Sequence, residues 1–156
     1  MKDSLLEVKD LEVTFFNRNG KVRAVRGINF DVKKGEILGI VGESGSGKTV
    51  TNLSIMGLLK GTGKVTKGQI IYKGENLLNK SEKEMLKIRG NDIAMIFQDP
   101  MTSLNPVFTV GNQITDVIMR HQKLSRKEAK KKTIEMLKMV RSEEHTSELQ
   151  SHKLIS

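Results

Sequence analysis

Apolar and polar residues change rhythm several times along this chain, and each change marks an element. "LLEVKDLEVTFF", from Leu5, alternates over much of its length, which predicts a strand with one buried face. "NRNGK" is rich in turn residues, and "VRAVRGINFDV" predicts a second strand that "KKGE" ends in another turn. "ILGIV" (37–41) is a short unbroken apolar run containing β-branched residues, the pattern of a strand buried on both faces in a parallel sheet. In "KTVTNLSIMGLLK", Val50, Leu53, Met56 and Leu59 stand at helical spacing, with Gly57 weakening the helix and Gly61 as its expected stop.

"GQIIYKG" predicts a further strand. "SEKEMLKIRG" predicts a short helix opened by Ser81 with Glu84 three residues on. "NDIAMIFQ" (91–98) reads as a second buried strand, and "DPMTSLNP" as a loop holding both prolines. Two amphipathic helices follow. One has the stripe Val110, Ile114, Val117 and Ile118. The other has Ala129, Ile134, Leu137 and Val140, opened by the capping box Ser125…Glu128. A strand, a glycine loop, a helix and further strands indicate an α/β nucleotide-binding architecture.

Composition narrows the chemistry. There is no cysteine, so disulfides, zinc–thiolate sites and iron–sulfur clusters are excluded. No apolar run approaches the roughly 18 residues that cross a bilayer, and "MKDSLLEVKD" does not read as a signal peptide. A cytosolic protein without direct membrane insertion is expected. The 156 residues suit one domain with one core. The net charge of +9 invites a nucleic-acid reading, but five phenylalanines and one tyrosine leave little to stack on bases. Much of the charge sits in "KLSRKEAKKKT", which reads as a solvated helix face. Residues 141–156 carry Arg141 and Lys153 against Glu143, Glu144 and Glu148, so the basic excess belongs to 1–140.

"GESGSGKT" matches G-x-x-x-x-G-K-[ST] at Gly42, Gly47, Lys48 and Thr49. A triphosphate is densely anionic, and a loop of Glu43, Ser44, Gly45 and Ser46 between glycines can wrap it with backbone N–H groups. A helix starting near Lys48 turns its positive end on the phosphates. Lys48 supplies a point charge for the β- and γ-phosphates, and the Thr49 hydroxyl a ligand for Mg²⁺. Glu43 reads as a solvent-facing spacer, not a catalytic group. An apolar strand before the loop and an amphipathic helix after it supply the context this motif requires. Gln98 closes the second apolar run. Its amide could ligate Mg²⁺ and orient a water or phosphate oxygen, or it could simply end a strand.

Together "GESGSGKT" and "MIFQDPMTSLNP" resemble the ATP-binding subunit of an ABC transporter of the oligopeptide, dipeptide and nickel importer family. The resemblance runs from residue 5 to about 140, through "LLEVKDLEVTF…AVRGINFDVKKGEILGIVGESGSGKT". It implies an α/β P-loop NTPase of the ABC ATPase type, of which this chain is the N-terminal portion. That portion comprises an antiparallel β subdomain, an incomplete parallel core sheet and the start of a helical subdomain. It further implies that Gly42, Glu43, Ser44, Gly45, Ser46, Gly47, Lys48 and Thr49 bind ATP, and that Thr49 and Gln98 bind Mg²⁺. Gln98 would be the catalytic Q-loop glutamine. Phe15, or else Phe16, would stack on adenine, although a core aromatic fits Phe15 equally well. The implied partners are membrane subunits and a second ATP-binding subunit, identical or merely similar, at the inner face of the cell membrane. Nucleic acid is not among them.

The family completes its site with a Ser-Gly-Gly signature, an apolar strand ending in Asp-Glu and a γ-phosphate histidine. None of these occurs in this sequence, so hydrolysis by the chain alone is expected to be negligible. The last residues, "RSEEHTSELQSHKLIS", leave the helical rhythm. His145 and His152 are seven positions apart, about two helical turns and too far to share an ion on a helix. A disordered tail is the ordinary reading. The string also resembles the translation of a short-read sequencing adapter, which accounts for its whole length. Residues 141–156 are accordingly expected to be non-native, and 1–140 the front of a longer protein. Such a piece is expected to expose apolar faces and an open sheet edge, and to be poorly soluble.

Overall fold

The computed structural model describes residues 4–18, 20–98 and 104–140. The tail 141–156 and the stretch Asp99–Ser103 of the proline loop lie outside the described residues. The chain divides into two compact units, Met1–Arg89 and Gly90–Ser156.

The first unit is built on an antiparallel sheet. β1 (Ser4–Asn17) and β2 (Gly20–Lys33) form a hairpin in which Val8 pairs with Phe30, Phe15 with Val22 and Asn17 with Gly20. β3 (Gly63–Tyr72) pairs along the other edge of β1, with Leu6 opposite Tyr72 and Phe15 opposite Gly63. β4 (Glu75–Asn76) hooks onto β3, giving the order β2-β1-β3-β4. The break in the alternation of β1 has a cause. The register shifts between Val8 and Leu11, and Asp10 takes φ +46°. Its N–H donates to Asn29 Oδ1 at 2.9 Å, and Asn29 Nδ2 donates to Asp10 Oδ1 at 3.1 Å. A bulge inserts one residue, which explains how Val8, Leu11 and Val13 can all be buried. Ile70 and Tyr72 of β3 and Val25 of β2 are buried with them.

Helix α1 (Lys48–Ile55) packs on β1 and β2, and Ile55 and Met56 at its end are buried. It stops earlier than its apolar spacing predicted. Gly57 has φ +62° and donates to the Ser54 carbonyl at 3.0 Å, while the Leu58 N–H donates to the Leu53 carbonyl at 2.8 Å. This Schellman turn exploits a glycine's access to the left-handed region, so Gly57 and not Gly61 is the stop, and Leu59 lies beyond the helix. A 3₁₀ turn (Leu77–Asn79) leads to α2 (Glu82–Ile88), which opens with the expected Ser81/Glu84 capping box.

The second unit contains α3 (Val110–Gln122) and α4 (Arg126–Met139), which pack on each other. Thr109 caps α3, the Ser125/Glu128 capping box opens α4, and Lys123 turns the chain between them at φ +52°. Ile118, Ala129 and Leu137 are buried, as the apolar stripes predicted. Val117 and Val140 are exposed instead, and Thr115 and Thr133 are buried. Their hydroxyls lie 2.9 Å apart, and each also reaches the carbonyl four residues back, Gly111 at 2.7 Å and Ala129 at 2.9 Å. Satisfied in this way, a threonine packs like a valine and takes the interior position.

Two predicted strands do not form. Residues 37–41 belong to no strand, and Ile37 and Val41 are each 97% exposed. In 91–98 only Ile93 is bridged, and Ile96 is 91% exposed. A strand buried on both faces needs a neighbour on each edge and a layer above and below. Among the described residues no strand pairs with either run, and the one sheet is antiparallel throughout. The expected parallel core sheet is therefore absent from the described residues.

Candidate functional site

The loop Gly42–Gly47 leads into α1, and the side chain of Lys48 folds back across it. The Lys48 ammonium donates to the Gly42 carbonyl at 2.5 Å, the Glu43 carbonyl at 2.7 Å and the Ser46 hydroxyl at 3.2 Å. Lys48 thus closes a ring from Gly42 round to itself. Within the ring the Ser46 N–H donates to the Glu43 carbonyl at 3.2 Å. Ser44 and Gly45 form the exposed turn of the loop.

Gly47 is required by both space and conformation, whereas at Gly42 only a serine side chain stands close. A Cβ on Gly42 would stand 2.7 Å from Ser46 Oγ. At Gly47, which has φ +93°, it would stand 2.6 Å from the Ala24 carbonyl oxygen and 3.3 Å from Val25 Cγ2. The loop is therefore seated directly on the backbone of β2. Thr51 fixes the same point from the other side. Its hydroxyl and its N–H both donate to the Gly47 carbonyl, at 3.0 and 2.9 Å. Ser54 repeats the device one turn on, donating to the Val50 carbonyl at 2.7 Å. Thr51 and Ser54 are buried, and sequence reasoning passed over them. The signal was available, since hydroxyl residues inside a helix return their proton to the carbonyl four back.

The first turn of α1 has no side-chain cap and no acidic residue. Its N-terminal N–H groups and the positive end of the helix dipole are thus directed at the loop without internal compensation. A glycine-rich ring, a cation held across it and an uncapped helix start suit an anion with several oxygens, and a polyphosphate fits that description. Thr49, the second residue of α1, is exposed and offers a hard oxygen of the kind Mg²⁺ takes.

Beside the loop lies an open cavity of about 1000 Å³, bounded by Val25 and Phe30 of β2 and by Leu38, Ile40, Gly42 and Lys48. The ring of Phe15 rests on Gly63 of β3, where a Cβ would stand 2.6 Å from Phe15 Cε1. Phe16 has Lys21 over its ring at 5.8 Å. Gln98 belongs to the second unit and is exposed. The hydrogen bonds among the described residues thus join Gly42, Glu43, Ser46 and Lys48. They do not join Thr49 or Phe15 to that set.

A family model described as "ABC transporter" matches residues 25–155. The chain belongs to the ABC transporter family. Among similar ABC transporter proteins, it is 57% identical over 140 residues to the probable peptide ABC transporter ATP-binding protein y4tR of Sinorhizobium fredii, an alignment covering 89% of this chain and 42% of that protein. It is 53% identical over 137 residues to the oligopeptide transport ATP-binding protein OppD of Bacillus subtilis, covering 87% of this chain and 38% of the relative. The chain therefore spans about two fifths of the length of these ABC transporter relatives. Its fold matches a dimeric ATP-binding cassette in a post-hydrolysis state bound to ADP and Pi, with TM-score 0.71 and 25% identity over 86% of this chain and 56% of that one. A second dimeric bacterial ABC transporter cassette matches with TM-score 0.73 and 26% identity over the same shares. No helix among the described residues of this ABC transporter chain is long and apolar enough to cross a membrane.

Proposed function

We propose that this chain binds Mg·ATP through Gly42–Thr49. In the intact protein it would use ATP hydrolysis to power import of peptides or similar solutes through membrane subunits. The carrying observation is Lys48, whose ammonium spans the mouth of a loop that the backbone of β2 leaves too tight at Gly47 for any side chain. Phosphate oxygens bear formal charge and are stronger acceptors than carbonyls, so an arriving triphosphate would take the ammonium from Gly42 and Glu43. Bound ATP would supply the phosphoryl group. The loop N–H groups and Lys48 would hold its phosphates, Thr49 would hold Mg²⁺, and Gln98 would add a carbonyl oxygen. Phe15 is the proposed adenine platform. The peptide reading is supported by the names of the relatives, peptide and oligopeptide transport ATP-binding proteins. A second ATP-binding subunit is supported by the dimeric state of the matched cassettes.

In this reading 1–140 is part of one ATP-binding domain, 141–156 is non-native, and the protein works in the cytoplasm against the inner face of the membrane. Resequencing the locus across the Val140 codon tests the boundary. A frame continuing into a Ser-Gly-Gly signature and an Asp-Glu strand is expected, and a genomic "RSEEHTSELQSHKLIS" would overturn it. The chain as it stands has no candidate for the base that activates water, which favours binding without turnover.

Titration with a fluorescent ATP analogue tests the assignment. Lys48→Ala should weaken binding by about tenfold or more, the worth of a lost charge-assisted hydrogen bond. Equal affinity in a variant with unchanged circular dichroism would sink the phosphate-cradle reading. Gln98→Ala should retain most of the affinity and lose Mg²⁺ dependence.

A further inference from the structure

Arg89, the last residue of the first unit, carries a guanidinium that no local pattern singles out. Within that unit it joins the end of α1 to the start of α2. Its Nε donates to the Met56 carbonyl at 2.7 Å and its Nη2 to the Gly57 carbonyl at 3.0 Å. Nη1 donates to Glu82 Oε1 at 2.5 Å, and the side chain is only 14% exposed. The two carbonyls end the phosphate-loop helix α1. They are groups that a helix C-terminus leaves without intrahelical partners, at the negative end of its dipole. Glu82 opens α2, and the guanidinium holds its carboxyl below the usual glutamate range. The seat is made for Arg89: a Cβ on Gly57 would stand 3.0 Å from Nη2. One residue later, at Gly90, begins the segment that carries Gln98.

We propose that Arg89 is a positioning residue that fastens the root of the Gln98 segment to the far end of the phosphate-loop helix, so that ligation of phosphate at one end of α1 is felt in residues 90–98. α1 is eight residues long, its start holds the proposed phosphate site, and its end is gripped by a planar, bidentate cation. A rigid short helix passes a displacement at its start to its end, and the guanidinium passes it to the backbone at Arg89. The inference rests on the nucleotide-binding reading above.

The chain has no cysteine, so Ile96→Cys gives one attachment point for a nitroxide at an exposed residue outside the site. Mg·ATP is titrated while the nitroxide spectrum is recorded, and affinity is measured separately with the fluorescent analogue. With Arg89 intact, saturation should alter label mobility. In Arg89→Met the analogue should bind within about threefold of the parent, while the spectral change should fall to about a third or less. Arg89→Lys should restore part of it. A full-sized change in Arg89→Met overturns the proposal, as does a parent that binds nucleotide without any change at residue 96. Parallel loss of affinity and signal in Arg89→Met also overturns it, because that marks a structural role. If Arg89→Met does not fold, Glu82→Gln decides: a reduced change supports the link and an unreduced one removes it. A parent chain that fails to bind the analogue defeats the nucleotide reading itself, and this inference with it.

Discussion

Two sets of aliphatic residues in this chain meet opposite fates. Val8, Leu11, Val13 and Ile70 are at most 1% exposed, whereas Ile37, Val41 and Ile96 are more than 90% exposed. The second set is as apolar as the first, and its β-branched residues favour strands as strongly. What differs is company. β1 has β2 on one edge, β3 on the other, and α1 packs on it. Residues 37–41 and 94–97 have no ladder among the described residues. An apolar run thus specifies a demand for cover, and only pairing turns that demand into a strand.

The contrast can be broken by substitution. Leu11→Ala on the covered side should destabilise the chain by about 2–5 kcal/mol, the usual cost of emptying a packed site, read from chemical unfolding in dilute solution. A loss below 1 kcal/mol, on the order of a surface change, would mean that the sheet face is not a packed core. The Thr115–Thr133 pair sharpens the contrast from the polar side. Thr115→Val alone should cost no more than about 1 kcal/mol by chemical unfolding, because the Thr133 hydroxyl keeps the Ala129 carbonyl as its acceptor; a larger loss would show that the two hydroxyls depend on each other. On the uncovered side, Val41→Ser should change stability by less than about 0.5 kcal/mol and raise solubility. A large loss of stability there would show that 37–41 is covered in solution.

The smallest effect is electrostatic. The Ser125 hydroxyl and N–H hold the Glu128 carboxyl below its usual range, and Ser81 does the same for Glu84. A depressed folded pKa gives stability that is fully present above the unfolded glutamate pKa of about 4.3 and is lost as pH falls through the folded value. Amide protection in the first turns of α2 and α4, corrected for the slower intrinsic exchange in acid, should therefore fall before the sheet opens. Protection that stays constant as pH falls through the folded pKa would remove these caps from the account.

Much of this was legible in residue order. The two capping boxes, the β1–β2 hairpin and the glycine loop depend on neighbours close in sequence, and local chemistry suffices for them. The helix stripes were read half correctly, because Thr115 and Thr133 hide their hydroxyls in backbone bonds and so behave as apolar residues. Gly57 was seen as a weak point and proved to be the end of α1. The failures at 37–41 and 91–98 have one source: their partners are not local, and no pattern within a run reveals whether a neighbour will be there. Arg89 was invisible for the same reason, since two of its three partners lie more than thirty positions upstream.

The pairing of Leu6 with Tyr72 and of Phe15 with Gly63 has a consequence in time. The phosphate loop and α1 lie in the stretch of chain enclosed by that stitching. The β1–β2 hairpin needs only its own turn and can zip within about 1–10 μs, whereas β3 must first bring together ends separated by some fifty residues, a slower and entropically costlier search. During synthesis, residues 42–49 leave the ribosome before the strand that closes round them. The glycine ring, seated on β2 and closed by Lys48, can thus take shape on the hairpin before β3 docks.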